Sequence, residues 1–165
     1  MSRSLRLPAA LPAALIAAAL ALAGCQDEEE RAERHFQSAL DYMAEGEVEL
    51  ALVDLRRVFD YDGFHKDARA LYARTVREQG RAREAYGQYL RLVEQHPDTP
   101  EARIALAEMA FANGDWEEVT RHGSEALELA PDDPAARAVG AALDYRAAVL
   151  EEDSDGMDAA AAAAR

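Results

Sequence analysis

The sequence predicts an all-α fold, a solenoid of stacked helix–turn–helix units, and three observations carry that prediction. Glycines recur at Gly46, Gly80 and Gly114, each 34 residues from the last. Small residues keep the same spacing, with Ala39, Ala73 and Ala107 in one column and Ala51, Ala85 and Val119 in another. Val58, Leu92 and Ala126 form a third column. The chain is 50% hydrophobic but only 7% aromatic, so its core must come from close helix contacts. A length of 165 residues accommodates one domain or a short repeat array.

The charge balance excludes several functions. Thirty-two acidic residues against 18 Lys+Arg give a net charge of −14, which opposes binding to a nucleic-acid backbone. A single cysteine excludes an internal disulfide framework and any multi-cysteine zinc site.

Residues 1–24 read as a signal peptide. Arg3 and Arg6 precede an uncharged run, Leu7–Ala23, which is short for a stable bilayer span and is weakened by Pro8 and Pro12. Leu22-Ala23-Gly24-Cys25 then resembles the bacterial lipobox, and the only cysteine in the chain stands at its lipidated position. The resemblance implies acylation of Cys25 and cleavage before it, with each buried methylene of the anchor contributing about 0.8 kcal/mol. The alternatives are an uncleaved membrane anchor and an ordinary signal peptide. Cleavage would remove two arginines and no acid, making the remaining chain more acidic still. Residues 25–31 are expected to be an acidic tether.

The body follows as units 32–65, 66–99 and 100–133. In the third, Asp98-Thr99-Pro100-Glu101 predicts an N-cap followed by Pro at the first helical position. Ile104, Leu106, Ala107, Ala110 and Phe111 recur at helical spacing. Asn113-Gly114 ends the first helix, because Gly adopts a left-handed conformation without steric cost. Asp115-Trp116-Glu117-Glu118 resembles a capping box that opens the second helix. Pro134–Leu150 reads as the first helix of a fourth unit. Residues 151–165 read as an acidic loop and a truncated Ala-rich helix, which suggests either the N-terminal portion of a longer repeat protein or a natural frayed end.

These units resemble tetratricopeptide repeats, best at Asn113-Gly114-Asp115-Trp116 and Ala126-Leu127-Glu128-Leu129-Ala130-Pro131. The resemblance implies a right-handed α-solenoid that binds a protein or peptide partner in the groove lined by first helices. No catalysis and no cofactor are expected, since the sequence carries no recognisable catalytic motif. The chain departs from the family pattern in placing His35, Arg69 and Arg103 where a large apolar residue is usual. Gly123 likewise stands where Leu55 and Tyr89 occupy the other units. Weaker packing is expected at these positions.

Motifs for chemistry are scarce. No nucleophile elbow, Walker or dinucleotide fingerprint occurs. His35, His65, His96 and His122 occupy four different repeat positions, so no metal site is expected. Glu151, Asp153, Asp155 and Gly156 match the opening of a calcium loop. Ala162 stands where such a loop needs a closing Glu, which favours a plain acidic linker.

Transferring the groove of the resembling family, position by position, implies Phe36, Leu40 and Met43 in the first unit. Ala70, Arg74 and Arg77 follow in the second, with Ile104, Glu108 and Phe111 in the third and Ala138, Ala142 and Tyr145 in the fourth. Arg74 and Arg77, three residues apart, would meet an acidic group on an amphipathic or aromatic-bearing segment. The alternative is that Phe36, Ile104 and Phe111 belong to the core. The expected function is a protein–protein interaction adaptor or scaffold in the bacterial cell envelope. It would be lipid-anchored at Cys25 and face the periplasm, with the outer membrane favoured. The alternative is an envelope assembly or secretion factor, pilotin-like, working through self-association or docking to a complex.

Overall fold

The computed structural model describes the backbone of residues 10–151 and 154–164, and the side chains of residues 27–151 and 155–164. The described residues form helices α1 (Ala10–Glu45), α2 (Val48–Tyr61), α3 (Lys66–Glu78), α4 (Ala82–Gln95), α5 (Pro100–Ala112), α6 (Trp116–Leu129), α7 (Pro134–Leu150) and α8 (Ser154–Ala163). No strand occurs among them. The chain divides into two compact units between His65 and Lys66. The first holds the α1/α2 hairpin. The second stacks the α3/α4, α5/α6 and α7/α8 hairpins, with α4 against α5, α6 against α7, and the first helices α5 and α7 also in contact. This is the helix–turn–helix solenoid expected from the 34-residue period.

The periodic glycines close the α1/α2, α3/α4 and α5/α6 hairpins in the same way. Gly46, Gly80 and Gly114 have φ of 80°, 75° and 73°, the left-handed region. Each donates its N–H three residues back, to Met43, Arg77 and Phe111 respectively. The next residue reaches five back, so Glu47 donates to Tyr42, Arg81 to Val76 and Asp115 to Ala110. That pair of bonds is the Schellman motif, which satisfies carbonyls that the ending helix leaves open.

The small columns form the helix crossings. Ala39, Ala73 and Ala107 are fully buried, as are Ala51 and Ala85, with Val119 nearly so. Val58, Leu92 and Ala126 complete the interior of their hairpins. A methyl group at each crossing lets two helices approach closely, so even an Ala-rich sequence reaches a dense core.

The structure corrects several expectations. Residues 25–31, expected as an acidic tether, lie within the continuous helix α1. Asp27 pairs with Arg31 at 2.9 Å, four residues on, and Arg34 donates to the Glu30 carbonyl, so the acidic stretch is braced along one helix. Thr99 occupies the N-cap of α5 without capping it, because its hydroxyl donates back to the His96 carbonyl. Asp115 does cap α6 through the Glu118 N–H. The Glu118 carboxylate bonds Tyr86 and Arg121 rather than returning to the cap. Asp155 and Gly156 lie in the first turn of α8, not in a loop that could wrap a cation. Residues 152–153 of that acidic stretch lie outside the described residues, as do Arg3 and Arg6 and the Cys25 side chain. Among the described residues, no helix is long and apolar enough to cross a membrane.

The residues that break the family pattern are packed, not loose. A Cβ on Gly123 would fall 2.5 Å from Val139 Cγ1, so α7 seats itself where other units carry a side chain. His35, Arg69 and Arg103 face the second helix of their own hairpin. His35 Nδ1 lies 3.2 Å from Asp54 Oδ1, while Arg69 donates to Gln88 at 2.8 Å and Gln95 at 3.0 Å. Arg103 pairs with Glu125 and donates to the Pro97 carbonyl. Asp54, Gln88 and His122 themselves recur every 34 residues, so a polar seam runs opposite the basic column.

Candidate binding groove

In the second unit, α3 and α5 place four of the expected residues around one cleft of about 500 Å³. Arg74, Arg77, Ile104 and Glu108 line it together with Glu78, Tyr89, Glu101 and Ala105. Tyr89 and Glu78 were not anticipated. Tyr89 comes from α4, outside the first helices from which the groove positions were drawn, although its 34-residue column with Leu55 and Gly123 is visible in the sequence.

The two arginines are not equivalent. Arg77 Nη2 donates to Glu108 Oε2 at 2.7 Å, an ion pair between α3 and α5. Burial alone would lower the Arg77 pKa, but the hydrogen bond and charge of Glu108 outweigh it and raise the value. Tyr89 has its phenol pushed up by burial, against the opposing charge of Arg77. Arg74 is exposed and forms no ion pair with any described residue. The expected arginine pair is therefore corrected to one available cation, Arg74, beside an internally neutralised Arg77. Ile104 is only 8% exposed and packs with Ala126 and Ala136, so it is the floor of the cleft more than a contact surface.

Glu108 also borders a second, apolar pouch of about 250 Å³ between α5, α6 and α7. Phe111, Ala138 and Ala142 line it, joined by Ala107, Val119, Ala135 and Val139. Phe111 is half exposed and meets Trp116 edge-on at 5.2 Å, and Arg146 covers the Trp116 ring at 4.3 Å. Ala70 lines an adjoining cleft with Lys66, Arg74 and Tyr89, while Tyr145 lines none of these clefts. The α3–α5–α7 face thus runs from a mixed-charge end, where Arg74 stands among Glu78 and Glu101, to an apolar end, with the Arg77–Glu108 pair between them.

The first unit presents its candidates separately. Leu40 is exposed, Phe36 and Met43 are half-buried, and Phe36 packs on the His65 ring at 4.8 Å. A polar cleft of about 560 Å³ holds Arg31, Arg34, His35, Ser38, Tyr42, Asp54, Arg57 and Tyr61. Ser38 donates to Asp54 at 2.6 Å, not to His35, so the hydroxyl faces a carboxylate rather than a base. That geometry fixes a buried Asp54 and does not activate a nucleophile. Among the described residues, no group of three His, Cys, Asp or Glu side chains is placed to hold a metal ion.

A tetratricopeptide repeat family model matches residues 42–109. Over that segment the chain is similar to tetratricopeptide repeats. The matched span runs from the end of α1 through most of α5 and includes Arg74, Arg77, Ile104 and Glu108. No curated protein matches the chain. The tetratricopeptide repeat is generally a module of protein–protein interaction and typically not catalytic.

Proposed function

We propose that this chain is a lipid-anchored, extracytoplasmic tetratricopeptide-repeat protein that serves as an interaction adaptor in the bacterial cell envelope, more favourably at the outer membrane than the inner. The observation that carries the adaptor reading is the α3–α5–α7 face, where Arg74 stands exposed at one end and an apolar pouch opens at the other. The complementary partner is an amphipathic protein segment with a carboxylate for Arg74 and a bulky apolar side chain for the pouch. The lipid reading is supported by Leu22-Ala23-Gly24-Cys25 at the end of an uncharged run.

Arg74→Glu tests the adaptor, because it reverses the available cation and leaves the Arg77–Glu108 pair intact. The variant should lose partner capture in membrane extracts at unchanged helicity, and undiminished capture would remove the groove from the mechanism. For the anchor, the intact mass of membrane-extracted protein should equal a chain starting at Cys25 plus acyl groups. Cys25→Ala should release the protein from membranes, and a cleaved form of that variant that stays membrane-bound would contradict lipid attachment.

A second reading is an assembly factor acting through self-association. Tyr145, Val149 and Leu150 favour it, since all three are exposed on α7, Leu150 to 71%. Sedimentation of the delipidated protein at micromolar concentration separates the two, with a monomer expected for the adaptor.

A further inference from the structure

His122 holds the repeat position that Asp54 and Gln88 hold in the first two hairpins. Those two side chains accept from, or lie within hydrogen-bond reach of, the basic residue across their hairpin. In the third hairpin that basic residue, Arg103, turns to Glu125 and the Pro97 carbonyl instead. The His122 imidazole is left 3% exposed. Its Nε2 lies 3.3 Å from Glu118 Oε2, and its Nδ1 is buried without a hydrogen-bond partner. Arg121 Nη2 also lies 3.3 Å from Nε2, so a neutral ring protonated at Nδ1 accepts from Arg121 but buries an unanswered N–H, whereas one protonated at Nε2 faces Glu118 and leaves only a bare lone pair on Nδ1. A second proton would place an N–H at Nδ1 with no acceptor, which a buried site does not tolerate cheaply.

The surrounding charges do not relieve that cost. From α6 itself come Glu118, Arg121 and Glu125, and from α5 comes Arg103. From α4, the Tyr86 hydroxyl donates to Glu118 at 3.0 Å. From α7, Val139 and Leu143 approach the backbone at Gly123 with apolar atoms only. Both carboxylates already serve other donors: Glu118 takes Tyr86 and Arg121, and Glu125 takes Arg103. Burial first, and the charges of Arg121 and Arg103 after it, push the imidazole pKa below its ordinary 6.5.

The neighbours of His122 connect it to the groove. Gly123 seats Val139 of α7, and Val119, one turn earlier on α6, lines the apolar pouch with Val139. We propose that His122 is an acid-sensitive latch, whose protonation loosens α6 from α5 and α7 and dismantles the apolar pouch. An opened hairpin takes up the proton at the ordinary value, whereas the closed hairpin resists it. The opening constant therefore rises by up to about tenfold for each pH unit below about 6.5, until the depressed native value is reached. Above about 6.5 neither state holds the proton and the latch contributes nothing. Hydrogen bonds from Tyr86 and Arg121 hold the Glu118 carboxyl below its ordinary value, so its own titration lies at lower pH than the ordinary carboxylate range.

Hydrogen exchange on the full chain, corrected for the intrinsic pH dependence of amide exchange, tests this at about pH 7.5 and about pH 5.5. Segment 116–143 is compared with segment 48–61 in wild type and His122→Gln, the variant that restores the amide found at position 88. In wild type, opening of 116–143 should increase about tenfold at the lower pH with little change in 48–61, and His122→Gln should abolish the increase. A wild-type segment that opens no further, or a variant that opens as much as wild type, overturns the latch. If His122→Gln does not fold at the higher pH, NMR titration of the wild-type imidazole decides instead. A midpoint below about 6.5 that coincides with lost protection supports the latch, and one at or above that value overturns it.

Discussion

The α3/α4 and α5/α6 hairpins share their small columns and differ in their polar seam. In α3/α4, Arg69 is buried and meets two amide acceptors, Gln88 and Gln95. In α5/α6 the same three positions hold Arg103, His122 and Leu129. No acceptor remains for the cation there, so it reaches out to Glu125, a half-exposed residue, and the imidazole loses its counterpart. The backbone hardly registers the exchange, since Gly80 and Gly114 close the two turns at φ of 75° and 73°. Methyl-sized crossings and left-handed glycines therefore determine where helices lie, whereas the polar seam sets how firmly each hairpin is held.

The contrast breaks most sharply at the basic column. Arg69→Ala should destabilise the second unit by about 3 kcal/mol, since it empties a large buried volume and strips two amides of a charged donor. Arg103→Ala should cost only about 1 kcal/mol, because its main partner is half exposed. Equal losses in urea denaturation would mean that the two hairpins are held alike.

A smaller effect is expected at Gly123. Ala there should cost about 1–3 kcal/mol, since its Cβ would meet Val139 and force α7 to shift. Gly87, on the outer face of α4, has nothing within 4 Å of a built Cβ, and Ala there should be neutral or stabilising. Thermal denaturation of the two variants should move in opposite directions.

The smallest effect concerns acid. Burial pushes the Glu118 carboxyl up, but hydrogen bonds from Tyr86 and Arg121 outweigh it and hold the pKa below 4.5. With the native value below the unfolded one, Glu118 stabilises the fold above about 4.5. That support is lost as pH falls through the depressed native value. Glu118→Gln should flatten the acid limb of the stability profile below about 4.5, by less than about 1 kcal/mol given the partial exposure of the side chain. An unchanged limb would assign that acid sensitivity elsewhere.

The parts of the fold that the sequence reveals are those with strict steric demands. A left-handed turn admits Gly and a helix crossing admits Ala, so both leave columns at a fixed spacing. The polar seam was half visible: His35, Arg69 and Arg103 stood out as departures, but their side-chain partners lie 19 or more residues away across a turn, where no local pattern marks them. The groove was legible as a face and not as chemistry. Nothing in the spacing of Arg74 and Arg77 reveals that Glu108, 31 residues beyond the latter, takes one of them. Tyr89 escaped because it enters from a second helix.

The repeated turn also governs which changes of length the chain can absorb. One residue inserted inside a helix rotates everything beyond it by about 100° and carries the following column off its crossing. Thirty-four inserted residues bring every column back into phase with the glycine that closes the hairpin. Growth or shrinkage by whole units is thus the low-cost edit, and the joint at Gly46, Gly80 and Gly114 is the place where such an edit leaves the remaining helices undisturbed.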